Sequence, residues 1–143
     1  MTRIVGATGP AVLLLPGGAE GAQGFFPGLA EGLVAEPGAR IILHDRPGTG
    51  DNPDPGSLAE AAEHLHDALA DLGVEPVVAI GQSLGGAVAL LLARDFPDDV
   101  AGLVLLDPTP INDVTLSVQT ETQAGRILRL MGVPLLGAGC AGC

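Results

Sequence analysis

"VVAIGQSLGGAVALLLAR", Val77 to Arg94, joins a run of strand-forming residues to a run of helix-forming ones, with Ser83 at the join. Glycines crowd the serine: Gly81 stands two before it, Gly85 two after and Gly86 three after. The apolar run Pro76–Ile80 predicts a buried strand, and Leu84–Asp95 predicts a helix. A Gly-x-Ser-x-Gly bend between the two strains the serine backbone and stands its hydroxyl clear at the carboxyl edge of a sheet. Gly81 and Gly85 are small because strand and helix come close there. The new helix also aims its first N–H groups, that of Leu84 among them, at any oxyanion formed on a substrate. A serine hydroxyl is nonetheless a poor nucleophile near neutral pH, and it needs a base within hydrogen-bond reach.

Short apolar runs alternate with longer amphipathic stretches on either side of this segment. That is the pattern of an α/β fold, a mainly parallel sheet with crossover helices on both faces. Upstream, Ala11–Leu15 reads as a strand and is followed by the Gly-rich turn "PGGAEGAQG". Phe25–Ala35 reads as a helix with Phe26, Leu29, Leu33 and Val34 on one side, stopped at Pro37-Gly38. Arg40–His44 is a second strand, and "DRPGTGDNPDPG" is a loop by composition. Ser57 caps the next helix, with Glu60 at the capping-box position. Leu58, Ala61, Ala62, Leu65, Leu69 and Leu72 follow helical spacing, and Gly73 ends the helix. Downstream, Ala101–Leu106 reads as the last strand. The expectation for residues 1–110 is four parallel strands with three crossover helices. Residues 111–143 are expected to begin a helical cap region, with a helix or two in Thr115–Met131, and to close as an irregular tail.

Composition narrows function by exclusion. Of 143 residues, 47% are hydrophobic and 16% charged, which predicts one packed domain rather than a disordered chain. With three Phe, no Tyr and no Trp, the core has to be aliphatic. The net charge is −11, with six arginines, no lysine, and the acids spread along the chain rather than blocked. A nucleic-acid backbone needs clustered basic residues, so no nucleic-acid partner is expected. No apolar run approaches the ~20 residues of a membrane span, so no membrane partner is expected either. The opening, "MTRIVGATGPAVLLLPGGA", faintly resembles a secretion leader, but Gly9-Pro10 interrupts its apolar stretch. The two cysteines, Cys140 and Cys143, stand in the last four residues and give no disulfide framework. The cytoplasm is therefore the expected compartment.

Four segments then fall together. Gly81-Gln82-Ser83-Leu84-Gly85 in its strand–turn–helix setting, "LLLPGGA", "HDRPGTGDN" and "FPDDVAGLVLLDPTP" resemble the serine-nucleophile branch of the α/β-hydrolase family. The resemblance covers roughly residues 3–113. It implies esterase-like hydrolysis of an ester or related acyl bond in a small molecule, with Ser83 attacking and no metal or organic cofactor. It also implies that "LLLPGGA" is a strand and oxyanion loop, where the Gly18 N–H joins that of Leu84 as the second oxyanion donor. Ser rather than Asp at the bend disfavours the dehalogenase and epoxide-hydrolase branches. Pro16 stands where the family usually has His before the loop glycine, which removes a donor that steadies the loop. Gln82 likewise stands where a His usually precedes the nucleophile.

The base is the missing part. In this family the triad runs Ser, then Asp or Glu, then His, and no histidine follows Ser83 in the sequence. The resemblance implies that acid and His sit on loops after two further strands, so the chain is expected to be truncated before the last strands. His44 ends the second strand on the same sheet edge as Ser83. The family strand order puts another strand between them, which is two steps of ~4.8 Å. His64 and His66 are two apart on a helix and do not share a face, so no metal site is expected. Asp107 is either a triad acid or a turn residue before Pro108. The alternative function is a non-catalytic fragment of the same fold that self-associates through its open apolar edge at residues 101–106. Gly6–Ala11, "GATGPA", leads into a strand rather than a helix and does not make a dinucleotide loop. Cys140 and Cys143 have C-x-x-C spacing but no second ligand pair.

Overall fold

A computed structural model describes residues 2–18, 21–35, 38–74 and 76–111. Its strands are β1 (Thr2–Val5), β2 (Ala11–Leu15), β3 (Arg40–His44), β4 (Val77–Gln82) and β5 (Val100–Leu106). Three helices, α1 (Leu29–Ala35), α2 (Leu58–Leu72) and α3 (Leu84–Asp95), separate them. The sheet order is β1-β3-β2-β4-β5. β2 through β5 are parallel, as the alternation of short apolar runs and amphipathic stretches predicts.

β2 is buried at all five positions, as a strand covered on both faces must be. Its alternate residues go to opposite sides. Leu13 and Leu15 join Ile42, Leu65, Leu69, Val88 and Leu92 under α2 and α3, while Val12 and Leu14 join Ile41 and Leu43 on the α1 side. The capping box forms on α2: the Ser57 N–H donates to Glu60 Oε2 at 2.5 Å, and the Glu60 N–H donates to Ser57 Oγ at 3.2 Å. The Ser57 N–H, and then its hydroxyl, hold the Glu60 carboxyl below its ordinary pKa. Gly73 closes the same helix in the left-handed region, at φ 61°.

Two predicted features are corrected. The sheet has a fifth strand: β1 runs antiparallel to β3, Thr2 opposite His44 and Val5 opposite Ile41. β1 lies at the edge with Ile4 and Val5 exposed, and four residues are too few to print an alternation that sets them apart from a leader-like stretch. The first helix begins at Leu29 rather than Phe25, because Gly28 turns the chain at φ 78° just before it. Phe25 and Phe26 meet edge to face ahead of that turn, with ring centres 4.8 Å apart. Pro37, the cap region and tail expected for residues 112–143, and Cys140 and Cys143 lie outside the described residues.

Parallel strands deliver their carboxyl ends to one edge, where ligands of open α/β sheets bind. Here that edge gathers the loops that follow β2 and β3, the β4–α3 bend and the turn after β5.

Candidate active site

Ser83 sits between β4 and α3 at φ 49° and ψ −116°, a backbone that non-glycine residues rarely hold. Three glycines make room for it. A Cβ on Gly81 would stand 2.6 Å from Gly85 O, and one on Gly85 would stand 2.1 Å from Leu15 O. One on Gly86 would stand 2.7 Å from Pro108 Cβ. The turn after β5 then pins the bend from the other side. The Ser83 N–H donates to Leu106 O at 3.1 Å, and the Thr109 N–H donates to Ser83 O at 2.9 Å. The hydroxyls of Ser83 and Thr109 lie 3.3 Å apart.

The loop after β2 lies against the serine. A Cβ on Gly17 would come within 2.9 Å of Ser83 Cβ, so only glycine lets that loop approach so closely. Gly18 follows in the left-handed region at φ 55°. Leu84 is the first residue of α3, and the first N–H groups of a helix have no acceptor within it. Both amides predicted to receive an oxyanion thus belong to segments in contact with Ser83.

The loop after β3 supports this arrangement. Arg46 is buried, at 1% exposure, and its Nη2 donates to Gly18 O. Thr49 donates to Arg46 O through its N–H at 3.0 Å and its hydroxyl at 2.8 Å. Asp45 accepts the Ala22 N–H at 2.8 Å and the Asp51 N–H at 3.3 Å, tying the β2 and β3 loops together. A cavity of about 390 Å³ opens beside Asp45, lined by Thr2, Arg3, Leu43 and Asp51 among others, and Ser83 is not part of its wall.

None of the histidines meets Ser83. β2 stands between β3, which ends at His44, and β4, as the family order implies. His44 is buried and its Nδ1 lies 2.8 Å from Thr2 Oγ1. Burial pushes its pKa down to about 4; the chain's amino terminus and His64 act in the same direction, and Asp45 opposes them. His66 instead braces α2 against the turn at Pro97–Asp99. Its Nδ1 is 2.7 Å from the buried Asp99 Oδ2, and its ring stacks on Phe96 with centres 4.1 Å apart. Asp107 is exposed at φ 47°, and among the described residues its carboxylate has no hydrogen bond to Ser83 or to a histidine.

Arg46 and Thr109 escape the sequence reading because each acts on a residue more than twenty positions away. One signal for Arg46 was nevertheless present: it is the single basic residue in "DRPGTGDNPDPG", a loop that resembles one of the family's.

A strained serine at a strand–helix bend, with a glycine loop against it at the carboxyl edge of a parallel sheet, is an arrangement that suits an alpha/beta hydrolase fold. The alpha/beta hydrolase fold family matches residues 10–134, and the chain belongs to that family. It is 38% identical over 107 residues to the sn-1-specific diacylglycerol lipase ABHD11 of Mus musculus, covering 73% of this chain and 34% of that one. The thermophilic esterase from Thermogutta terrifontis superposes with a TM-score of 0.72 and 28% identity, over 92% of this chain and 47% of that one. The N-acyl homoserine lactonase AidH superposes with a TM-score of 0.66 and 26% identity, over 77% of this chain and 41% of that one. The chain thus spans about a third to a half of the length of these relatives. No helix among the described residues is long and apolar enough to cross a membrane.

Proposed function

We propose that Ser83 is the nucleophile of a hydrolase acting on an ester or related acyl bond of a small molecule. The observation that carries this is the backbone of Ser83, held at φ 49° with the Gly17 loop against its side chain. Such strain persists only where the surroundings over-determine it. In the proposed reaction Ser83 Oγ adds to the acyl carbon, and the Gly18 and Leu84 N–H groups receive the oxyanion. Collapse expels the leaving group, and water releases the acyl group from the serine. The relatives named as a diacylglycerol lipase, an esterase and a lactonase support the bond class, since a lactone is a cyclic ester.

The proton on Ser83 Oγ needs an acceptor, and no histidine follows Ser83 in this chain. We assign a nucleophile and oxyanion donors to the residues around Ser83, and among the described residues no histidine meets its hydroxyl. Asp107 serves as the acid only toward a histidine brought to the same edge. Removing the base of such a triad costs on the order of 10⁶ in kcat, while the oxyanion hole and binding keep ~10³–10⁴ over water. A fluorophosphonate probe read by intact mass tests the assignment. Slow single labelling is expected, rising in proportion to hydroxide and absent from Ser83→Ala. A rate that levels off near neutral pH instead reveals a base. No labelling of the folded chain, or labelling that survives the substitution, overturns the nucleophile.

The second reading, self-association, rests on β5. It pairs with β4 alone among the described strands and exposes Leu103, Val104 and Leu106. An uncharged open edge invites strand pairing with another chain. Sedimentation velocity over a wide concentration range is then expected to detect reversible association that Val104→Lys abolishes. A monomer throughout sinks this reading.

A further inference from the structure

We infer that Arg46 is a positioning residue for the oxyanion loop: its buried guanidinium, donating to Gly18 O, anchors the glycine whose N–H is to receive the oxyanion. This rests on the reading of Ser83 as nucleophile and Gly18 as oxyanion donor.

The need for such a residue follows from Gly18 itself. It is exposed and left-handed, and a Cβ built on it meets nothing within 4 Å. No packing therefore selects its conformation, and glycine adopts either sign of φ about equally well. Pro16, two residues earlier, has no side-chain donor with which to hold the loop. A hydrogen bond to the Gly18 carbonyl ties that glycine to the neighbouring loop and limits the backbone excursions that would carry its N–H away from Ser83.

Arg46 is suited to that work. β3 neighbours β2 in the sheet, so the loops that follow them run side by side and the guanidinium spans the gap. Arginine is always protonated and its donors are fixed in a rigid fork. A bond from a charged donor is about twice as strong as a neutral one. Burying a guanidinium is costly unless its donors are used, so a 1% exposed arginine in a surface loop calls for a reason. The clamp also has a base: both Thr49 donors hold the Arg46 carbonyl, and Thr49 is itself 2% exposed. Asp45 and its two amide donors anchor the other end of the same loop.

The test compares the wild type with Arg46→Met, which keeps the stem and loses the donors, and with Arg46→Lys, which keeps the charge. Two readouts are taken on folded protein. The first is the backbone order parameter of the Gly18 amide by NMR, expected near 0.85 in the wild type and below about 0.6 in Arg46→Met. The second is the fluorophosphonate labelling rate of Ser83. Losing one oxyanion donor outright costs about 10²–10³, so a donor set adrift is expected to slow labelling roughly 10- to 100-fold, with Arg46→Lys recovering part. An Arg46→Met chain with an unchanged Gly18 amide and an unchanged rate overturns the inference. So does a Lys variant no better than Met while the amide stays rigid. If Met fails to fold, the wild-type spectrum decides. Guanidinium protons slow to exchange and in contact with Gly18 sustain the clamp, and their absence overturns it. A wild type that never labels defeats the nucleophile reading instead, and the Gly18 amide still reports on Arg46.

Discussion

Alanine at Gly85 is expected to destabilise the protein by on the order of 3 kcal/mol, at the top of the range for overpacking, and by more where the sheet cannot give. The added Cβ would stand 2.1 Å from Leu15 O and 2.6 Å from both Leu15 C and Pro16 O. All three are backbone atoms of the central strand or the residue after it, so no side chain can swing aside. α3 has to retreat by about an ångström to restore an ordinary contact, and it is the helix whose Val88 and Leu92 fill the core under β2. Helix propensity works the other way: alanine is favoured over glycine by ~1 kcal/mol in a helix interior, and by less at Gly85, the second residue of α3. The clash has to overcome that gain, which makes the sign of the result informative. Urea denaturation measures it, with Gly102→Ala as the control. Gly102 lies in β5, where a Cβ meets nothing within 4 Å, and its replacement is expected to change stability by less than about 0.5 kcal/mol. Equal midpoints for the two variants would mean that strand and helix are not in the close contact described. The same displacement would carry Leu84 away from the Gly17–Gly18 loop, so labelling of Ser83 should fall with stability.

The need for Gly81 was legible in the sequence because its reason is local: a helix has to start beside the strand that has just ended, and a Cβ on Gly81 would stand 2.6 Å from Gly85 O. Gly85 belongs to the same motif, but the atoms that forbid its Cβ lie on Leu15 and Pro16, about seventy residues earlier. The capping box of Ser57 and Glu60 was legible as a local feature, its four atoms lying within three residues of one another. The separation of His44 from Ser83 was legible only through the strand order that the family resemblance implies, and the sheet has that order. What escaped was whatever depends on partners distant in sequence. β1 has no signal of its own and exists because β3 offers it an edge. The Arg46 bond to Gly18 spans 28 residues, and the Ser83–Thr109 contact spans 26. His66, placed by its spacing on a helix surface, is fixed there by an aspartate 33 residues away. Its spacing carried no information about what lay opposite it.

His44 gives the second large effect, and its sign can be worked out. In the folded chain its pKa is lowered to about 4 from an ordinary 6.5, mainly by burial. Above pH 6.5 both folded and unfolded chains hold it neutral, and it contributes no pH dependence. As pH falls through 6.5 the unfolded chain takes up a proton that the folded chain refuses. Stability is therefore lost progressively from about pH 6.5 down to about pH 4, where the folded form protonates as well. The loss from this one group approaches roughly 3 kcal/mol, a large share of the ~5–15 kcal/mol that holds a domain together. Carboxylates titrate in the lower part of the same window, so the measurement has to be a difference. His44→Asn keeps a polar atom near Thr2 Oγ1, which lies 2.8 Å from the ring nitrogen, and removes the titration. The variant is expected to be less stable than the wild type at pH 7.5, because it leaves space where the ring was. By pH 4.5 the gap should move in its favour by roughly 2–3 kcal/mol, read from urea midpoints at the two pH values. A gap that does not move with pH would show that the folded protein protonates His44 as readily as the unfolded chain does. Its ring would then be open to water, and the contact between β1 and β3 that buries it would have to be drawn again.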